Sequence, residues 1–455
     1  MEYKGSLDTH HKALSINLEG SVFGSFAEIG AGQEVARWFL QVGGASATVA
    51  KTISAYDKEV SDDMYGSGSR YVSIERLRSM LETEWKQLLA QLQQTHGGET
   101  RFFSFVDTVA ARNYAGTNVP HGWMGLRFQA QPGAPENDVI LHVNLHDSTN
   151  IQEQEALGVL GVNLLYAAFH QCSDPEAFLA GIADLVVPGR IEIDYLEVRG
   201  PVFQNHSSEK WSSWDLHVLL LTKRITEAVI CTREAGFIPF IEALHKKAVV
   251  IAPGEFERPS SVHAGMMATA LRNLEKEKEL SDEVAVGLFC LTIPPNITLQ
   301  SDREIATLLR KMQALHDLGY GVLVVHDREI YKMSAIIQRF TSQPIRFVVG
   351  ISVLLRVFGD AYVNLGGSTL KAISLLFSQN VRIYAYPMAT RTAREWIQRL
   401  NAYEWDWLEV QGTVPAASLK PPEPLRYLYE YLLASHFILP VELTTNEMHE
   451  LANAG

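Results

Sequence analysis

Apolar and polar positions along the chain fall into three stretches of different rhythm. The first hundred residues read as mostly helical. A short apolar run, Ser21–Ile29, is followed by Val35, Ala36, Phe39 and Leu40, which line one face of a helix. A second helix is expected over Ala45–Tyr56. A third opens at Ser73, a plausible N-cap, and carries Leu77, Met80, Leu81, Trp85, Leu88, Leu89 and Leu92 at a 3.6-residue period until His96-Gly97-Gly98 stops it.

The middle stretch mixes periods of two and 3.6. Strands are expected at Arg101–Val109, Trp123–Gln129, Val139–Leu145, Arg190–Val198 and Ala248–Ala252, with helices at Ile151–Phe169 and near Trp214–Thr226. Gly158 and Gly161 share a face of the first of these helices and permit close packing. Alternating charges from Arg272 to Glu283 suit a solvated helix end or linker.

Beyond that point strands and helices alternate regularly. Strands at Val284–Leu291, Val322–His326, Ile345–Val349 and Val381–Tyr386 are separated by helices at Asp302–Leu318, Glu329–Phe340, Ser352–Phe358 and Ser368–Ser378. Ser301 and Glu304 form a capping box, and Gly319 sits where a C′ glycine belongs. Such alternation implies parallel β-α-β units with right-handed crossovers. The expectation is therefore an α/β protein in three parts: a helical N-terminal segment (1–98), a mixed α/β domain (99–260) and a doubly wound, Rossmann-like parallel domain (261–455).

Composition narrows the class without naming a reaction. In 455 residues, 47% hydrophobic and 20% charged, there is enough apolar material for two or three cores, which excludes a disordered tail or a coiled coil. Three separated cysteines without a C-x-x-C pair exclude a disulfide framework and suit a reducing cytosol. Neither a secretory leader nor an apolar run long enough to span a membrane is visible, so a cytoplasmic location is expected. Lys and Arg number 39 against 52 Asp and Glu, a formal net charge of −13 that disfavours an extensive nucleic-acid surface. An anion site must then be local.

The segment Gly24-Ser25-Phe26-Ala27-Glu28-Ile29-Gly30-Ala31-Gly32-Gln33 admits three readings. Glu28, Gly30 and Gly32 resemble the glycine-rich loop of class I methyltransferases, with Asp57 at the spacing of the second acidic residue. The same letters resemble the G-S-F-D-P-x-H-x-G-H start of nucleotidylyltransferases, but Gly30 and Gln33 stand where the two histidines would stabilise the phosphates. In the third reading the glycines shape a tight helix start, and Glu28 lies near the helix dipole.

A wider resemblance runs through Ala27-Glu28-Ile29-Gly30-Ala31-Gly32-Gln33-Glu34-Val35-Ala36, Lys51-Thr52-Ile53-Ser54-Ala55-Tyr56-Asp57, Arg70-Tyr71-Val72-Ser73, His121-Gly122-Trp123-Met124-Gly125 and Gln154-Glu155-Ala156-Leu157-Gly158. It continues weakly through Gly161-Val162-Asn163-Leu164 and Lys246-Lys247 to Tyr384-Ala385-Tyr386-Pro387-Met388, and so covers nearly the whole chain. On these motifs the sequence resembles an uncharacterised bacterial cytosolic family, some of whose members are labelled nicotinate-nucleotide adenylyltransferase. The resemblance implies a family and no established activity. The chain departs from it around Trp214-Asp215-Leu216, where an arginine-bearing motif is expected.

Other residues carry chemistry by type and place. Asp107, Arg112, His121 and Arg127 cluster around the first strands of the middle stretch, where a loop histidine can act as acid or base and arginines can clamp an anion. His142 and His146, four apart on a strand, lie about 13 Å apart at ~3.3 Å per residue, too far to share one metal ion. Asp194 and Glu197 fall on opposite faces of a regular strand; a surface partner such as Lys246 or Lys247 is expected for Asp194. In the last stretch, Asn296, His326, Asp327, Ser352 and Tyr386 follow strand ends, where open parallel sheets bind ligands. His326 and Asp327 suggest an acid–base pair, while Ser352 and Ser368 open helices whose N–H groups favour anions or are simply capped.

The functional expectation is an enzyme or binding protein for a small anionic or nucleotide-like metabolite, with no metal site and no cofactor specified. The alternative is a homo-oligomeric or filament-forming assembly protein with Trp85, Trp123, Trp211, Trp214, Trp396, Trp405 and Trp407 as interface anchors or core. Binding of a methyl donor at Glu28–Gly32 is the third.

Overall fold

A computed structural model describes residues 7–187, 189–204, 211–277, 285–293, 302–359, 362–378, 380–444, 447–448 and 451. The chain forms two compact units, Met1–Val229 and Ile230–Gly455, in place of the expected boundaries near 98 and 260. Each unit has its own sheet.

In the first unit the order is α1 (Thr9–Leu18), β1 (Val22–Ile29), α2 (Glu34–Gln41), β2 (Val49–Ile53), α3 (Lys58–Tyr65), α4 (Ile74–His96), β3 (Arg101–Ala110), β4 (His121–Gln129), β5 (Glu136–Leu145), α5 (Asn150–His170), α6 (Pro175–Ala183), β6 (Ile191–Arg199), α7 (Pro201–Gln204) and α8 (Ser213–Thr222). Its six strands are ordered β2-β1-β3-β4-β5-β6. β2, β1 and β3 run parallel, and β3 to β6 antiparallel.

The helix expected over Ala45–Tyr56 is a short 3-10 turn followed by the edge strand β2. Gly43 and Gly44 take positive φ and stop α2, and β-branched Val49, Thr52 and Ile53 then suit a pleated edge. The helices expected in the first hundred residues are present, but two parallel strands lie among them and belong to the same sheet as the middle stretch.

Alternation along the strands builds a core on each face of this sheet. Phe26, Phe103, Phe105, Met124, Leu126, Leu141 and Val143 pack against α2 and α5. Ala27, Val106, Trp123 and Ile140 pack against Leu77, Met80 and Leu81 of α4. Helices α2 and α5 approach closely at Gly161, where an added Cβ would lie 2.2 Å from Val35 Cγ2. The paired glycines of α5 therefore serve its packing on α2.

The second unit holds β7 (Ala228–Thr232), β8 (Gly236–Phe237), α9 (Phe240–Leu244), β9 (Ala248–Gly254), α10 (Ser261–Glu275), β10 (Ala285–Thr292), α11 (Asp302–His316), β11 (Gly321–Val325), α12 (Ile330–Gln338), β12 (Ile345–Gly350), α13 (Ile351–Gly359), α14 (Thr369–Leu376), β13 (Val381–Tyr386), β14 (Met388–Ala389), α15 (Thr390–Arg399), β15 (Thr413–Val414), α16 (Leu425–Ala434) and β16 (Ile438–Pro440). The sheet order is β16-β13-β12-β9-β10-β11-β7-β8, and the pairings from β11 through β16 are parallel. This is the doubly wound α/β arrangement expected from the strand–helix alternation. Gly319 has φ +90 after α11, as its C′ position requires. Ser301 and Asn296 lie outside the described residues. Trp85, Trp123, Trp211 and Trp405 are buried in the chain's own cores. Among the described residues, no helix is long and apolar enough to cross a membrane.

Candidate active site

Strands β2, β1, β3 and β5 of the first sheet end at one edge, and the antiparallel β4 and β6 begin there. That places Ile29–Gln33 after β1, Arg112 after β3, His121 at the start of β4 and Asn144 near the end of β5 along the same edge. Carboxyl ends of parallel strands are where open α/β sheets bind ligands.

On the α4 side of this edge, directly opposed residues bring histidines together. His121 faces Asn144, and Trp123 faces His142. Side chains of opposed residues share a face, so these four stand on it together. β6 adds the decisive element. Its register shifts opposite His142, with Tyr195 across from His142 and Ile193 across from Val143. Asp194 is the extra residue of a bulge, and bulges re-aim side chains.

The Asp194 carboxylate accepts from His142 Nδ1 at 2.6 Å, and His142 Nε2 lies 3.0 Å from His121 Nδ1. With Asp194 ionised, His142 carries its proton on Nδ1, and its Nε2 accepts from His121 Nδ1–H. His121 is then the outer ring of the pair, with its basic lone pair on Nε2. His142 is fully buried and His121 is 7% exposed, so the relay runs from the interior toward the surface. Trp123 fixes the middle ring edge-on at 4.9 Å between centroids. His217 of α8 lies 5.4 Å from the Tyr195 ring and donates Nδ1–H to Ser213 O at 2.7 Å. Burial pushes its pKa down to about 4.

The opposite face of the edge is acidic. Glu28 and Asp107 are opposed on β1 and β3 and both are buried. Glu28 Oε2 and Oε1 accept from Val35 N and Ala36 N at 3.0 and 2.9 Å, the free N–H groups of the α2 start. Asp107 accepts from Ile29 N at 3.1 Å. Burial raises the Glu28 pKa to about 7, helped by the nearby Glu34 charge and opposed by the N–H donors. Burial and the Glu28 charge raise Asp107 well above the usual carboxylate range. Gly30 has φ +102, and a Cβ there would lie 1.9 Å from Val109 O. Its bareness therefore admits the end of β3. Gly32, at φ +84, completes the turn. The geometry around Glu28 is that of a helix start held by a carboxylate. A strand does precede Asp57, but the Asp57 carboxylate caps α3 through Glu59 N and Val60 N.

Arg112 lies at the same edge. Its backbone N–H donates to Glu153 Oε2 at 2.9 Å, its Nη2 to Asp147 O at 3.3 Å and its Nε lies 3.8 Å from Glu153 Oε1, while the side chain stays one-third exposed. Arg127, expected to clamp an anion, lies toward the other end of β4 and is consumed by protein carboxylates. Nε and Nη2 grip Asp138 at 2.7 and 2.9 Å, and Nη1 meets Glu82 at 2.7 Å. The edge thus unites Glu28, Gly30, Gly32, Asp107, Arg112 and His121, and Arg127 stands apart.

In the second unit, His326 follows β11 and is buried. The Asp327 carboxylate accepts from Glu329 N at 3.2 Å and pairs with Lys332. Ser352 is the second residue of α13, not a cap, and β9 and β10 separate its strand from that of His326. Ser368 Oγ caps α14 by accepting from Lys371 N at 3.2 Å. The switch point of this sheet falls between β9 and β12. The turn after β9 reads Gly254-Glu255-Phe256, without a glycine fingerprint. Phe256, buried against Phe289 and His263, lies where a Cβ on Gly254 would reach, 2.9 Å away. A backbone approach to a pyrophosphate is thereby filled with an aromatic ring.

Asp8, His10 and His11 could together reach a metal ion, but they are exposed at the start of α1, which Asp8 caps. The residues that sequence reasoning missed are His142, Asp194 and Asn144. Asp194 was expected at the surface beside a lysine, because alternating Glu192 and Asp194 look like a solvated strand face. The bulge and the burial of that face carry no local signature.

No protein-family model matches the sequence, and no curated protein is similar to it. Solved structures with some likeness include the competence/damage inducible protein CihA from Agrobacterium tumefaciens, 19% identical, covering 37% of this chain and 100% of that one at a TM-score of 0.27. A CinA superfamily protein from Enterobacter cloacae is 11% identical, covering 37% and 96% at a TM-score of 0.27. A competence or damage-inducible protein from Enterobacter asburiae is 13% identical, covering 36% and 99% at a TM-score of 0.27. A likeness this slight carries no functional argument.

Proposed function

We propose that the chain is a cytosolic enzyme that transfers a proton to or from a small polar, nucleotide-like metabolite at the carboxyl edge of its first sheet. The observation that carries this reading is the buried chain Asp194–His142–His121. A carboxylate that fixes one histidine tautomer, which in turn fixes a second, leaves a base at the edge whose conjugate acid is stabilised from behind. His121 is the acid–base group, and His142 and Asp194 are positioning residues. An anionic group on the ligand would meet Arg112, a partly exposed cation of the same edge.

The test is turnover of a panel of nucleosides, nucleotides and phosphometabolites, followed by NMR, for the native chain, His121→Gln and Asp194→Asn. The expected result is conversion of at least one compound by the native chain. His121→Gln should reduce it roughly 10²–10⁴-fold and Asp194→Asn by a smaller factor. A His121→Gln variant as active as the native chain would overturn the reading.

A further inference from the structure

We propose that Asn144 reads the substrate, and that what it reads is a neutral planar edge with a hydrogen-bond donor beside an acceptor, as on a lactam or a nucleobase. The proposal rests on the acid–base reading of His121, since it assigns the ligand of that same site.

Asn144 lies directly opposite His121, on the rung next to the His142–Trp123 rung. It is 1% exposed, and among the described residues neither its Oδ1 nor its Nδ2 has a hydrogen-bond partner. The indole Nε1 of Trp123, on the same face, is likewise buried and unpartnered. Buried polar side chains are nearly always satisfied, and leaving an amide unmatched destabilises the folded chain. A leucine or valine would fill the same space without that cost. A binding role accounts for retaining a carboxamide at this position: its partner is brought by the ligand.

Chemistry then selects the kind of partner. Asn144 offers an acceptor, Oδ1, beside a donor, Nδ2, and Trp123 offers a further donor. A carboxylate or phosphate would satisfy the donors but set a negative oxygen against Oδ1, on a face that already holds Asp194 and Glu192. An ammonium would satisfy Oδ1 and leave both donors unmatched. A lactam or amide edge satisfies all three groups. The anionic part of a nucleotide-like ligand would then point away from this rung, toward Arg112.

The experiment is isothermal calorimetry on the full-length chain with inosine and uridine, which carry a lactam edge, purine riboside, which lacks it, and benzoate, a carboxylate on a planar ring without a lactam edge. Asn144→Leu and Asn144→Ala are run alongside, with the melting temperature of each ligand-free protein. Inosine or uridine is expected to bind, and purine riboside and benzoate to bind at least a hundredfold more weakly, because a site built around hydrogen bonds rejects analogues that lack them. Both variants should lose the lactam ligands while melting no lower than the native chain. Loss of stability in both variants without loss of binding would overturn the proposal, since Asn144 would then be structural. So would equal binding of inosine and purine riboside, or no binding by either lactam ligand. The two proposals fail separately. His121-dependent turnover of compounds without a lactam edge sinks only the role of Asn144. Asn144-dependent binding of inosine with turnover untouched by His121→Gln sinks only the acid–base reading.

Discussion

A histidine held between a carboxylate and a second imidazole has little choice of tautomer, and His142 is held that way inside a closed sheet face. Asp194→Asn keeps the shape and removes the charge. It is expected to cost about 1–3 kcal/mol in urea unfolding, because the lost hydrogen bond is buried and charge-assisted. Glu28 makes a different prediction. Its pKa is raised from 4.5 to about 7, so the folded chain keeps a proton that the unfolded chain releases. That contribution is full below about pH 4.5 and is lost as pH rises through about 7, an effect on the order of 3 kcal/mol. Glu28→Gln should flatten the fall in stability over this window, measured by urea unfolding at a series of pH values. An unchanged slope would place the titration elsewhere. His217, depressed to about 4, acts in the opposite sense: its contribution is lost as pH falls from about 6.5 toward 4.

At the scale of elements, the turn from β1 into α2 depends on Gly30. A Cβ at φ +102, 1.9 Å from Val109 O, cannot be accommodated without moving the end of β3. Gly30→Ala should therefore lower stability by roughly 2 kcal/mol or more in chemical denaturation, well beyond a helix-surface substitution. The residues of this turn were legible in the sequence as a glycine-rich motif beside a carboxylate, but their purpose was not. The backbone approached by Gly30 is that of β3, some eighty residues away, and no local pattern reveals it. Edge strand β2 was hidden for a related reason. Its apolar positions alternate over only five residues with one neighbouring strand, too short a run to separate from a helix turn. Long buried strands and amphipathic helices in the second unit were legible because each carries its full period. His121 is legible through its loop position, whereas the local pattern offers His142 only as a distant partner of His146 and presents Asp194 as a surface residue. Only the packing of helices over that face makes them interior.

For the molecule as a whole, the formal charge of −13 means that an anionic ligand approaches against the average field. The first sheet meets this with a buried histidine relay and with Arg112, partly exposed at its edge. Two units with separate sheets and cores should give two calorimetric transitions, with Gly30→Ala lowering one and leaving the other in place. One transition shifted as a whole would show that the units unfold together. The relay itself is tested most directly by long-range proton–nitrogen NMR of the histidine side chains at pH 7, in the native chain and in Asp194→Asn. The expected result is His142 and His121 both protonated on Nδ1, with His121 Nε2 bare, and loss of that pattern in Asp194→Asn. A His121 ring that is protonated on Nε2, or a pattern indifferent to Asp194, would contradict the proposed proton path.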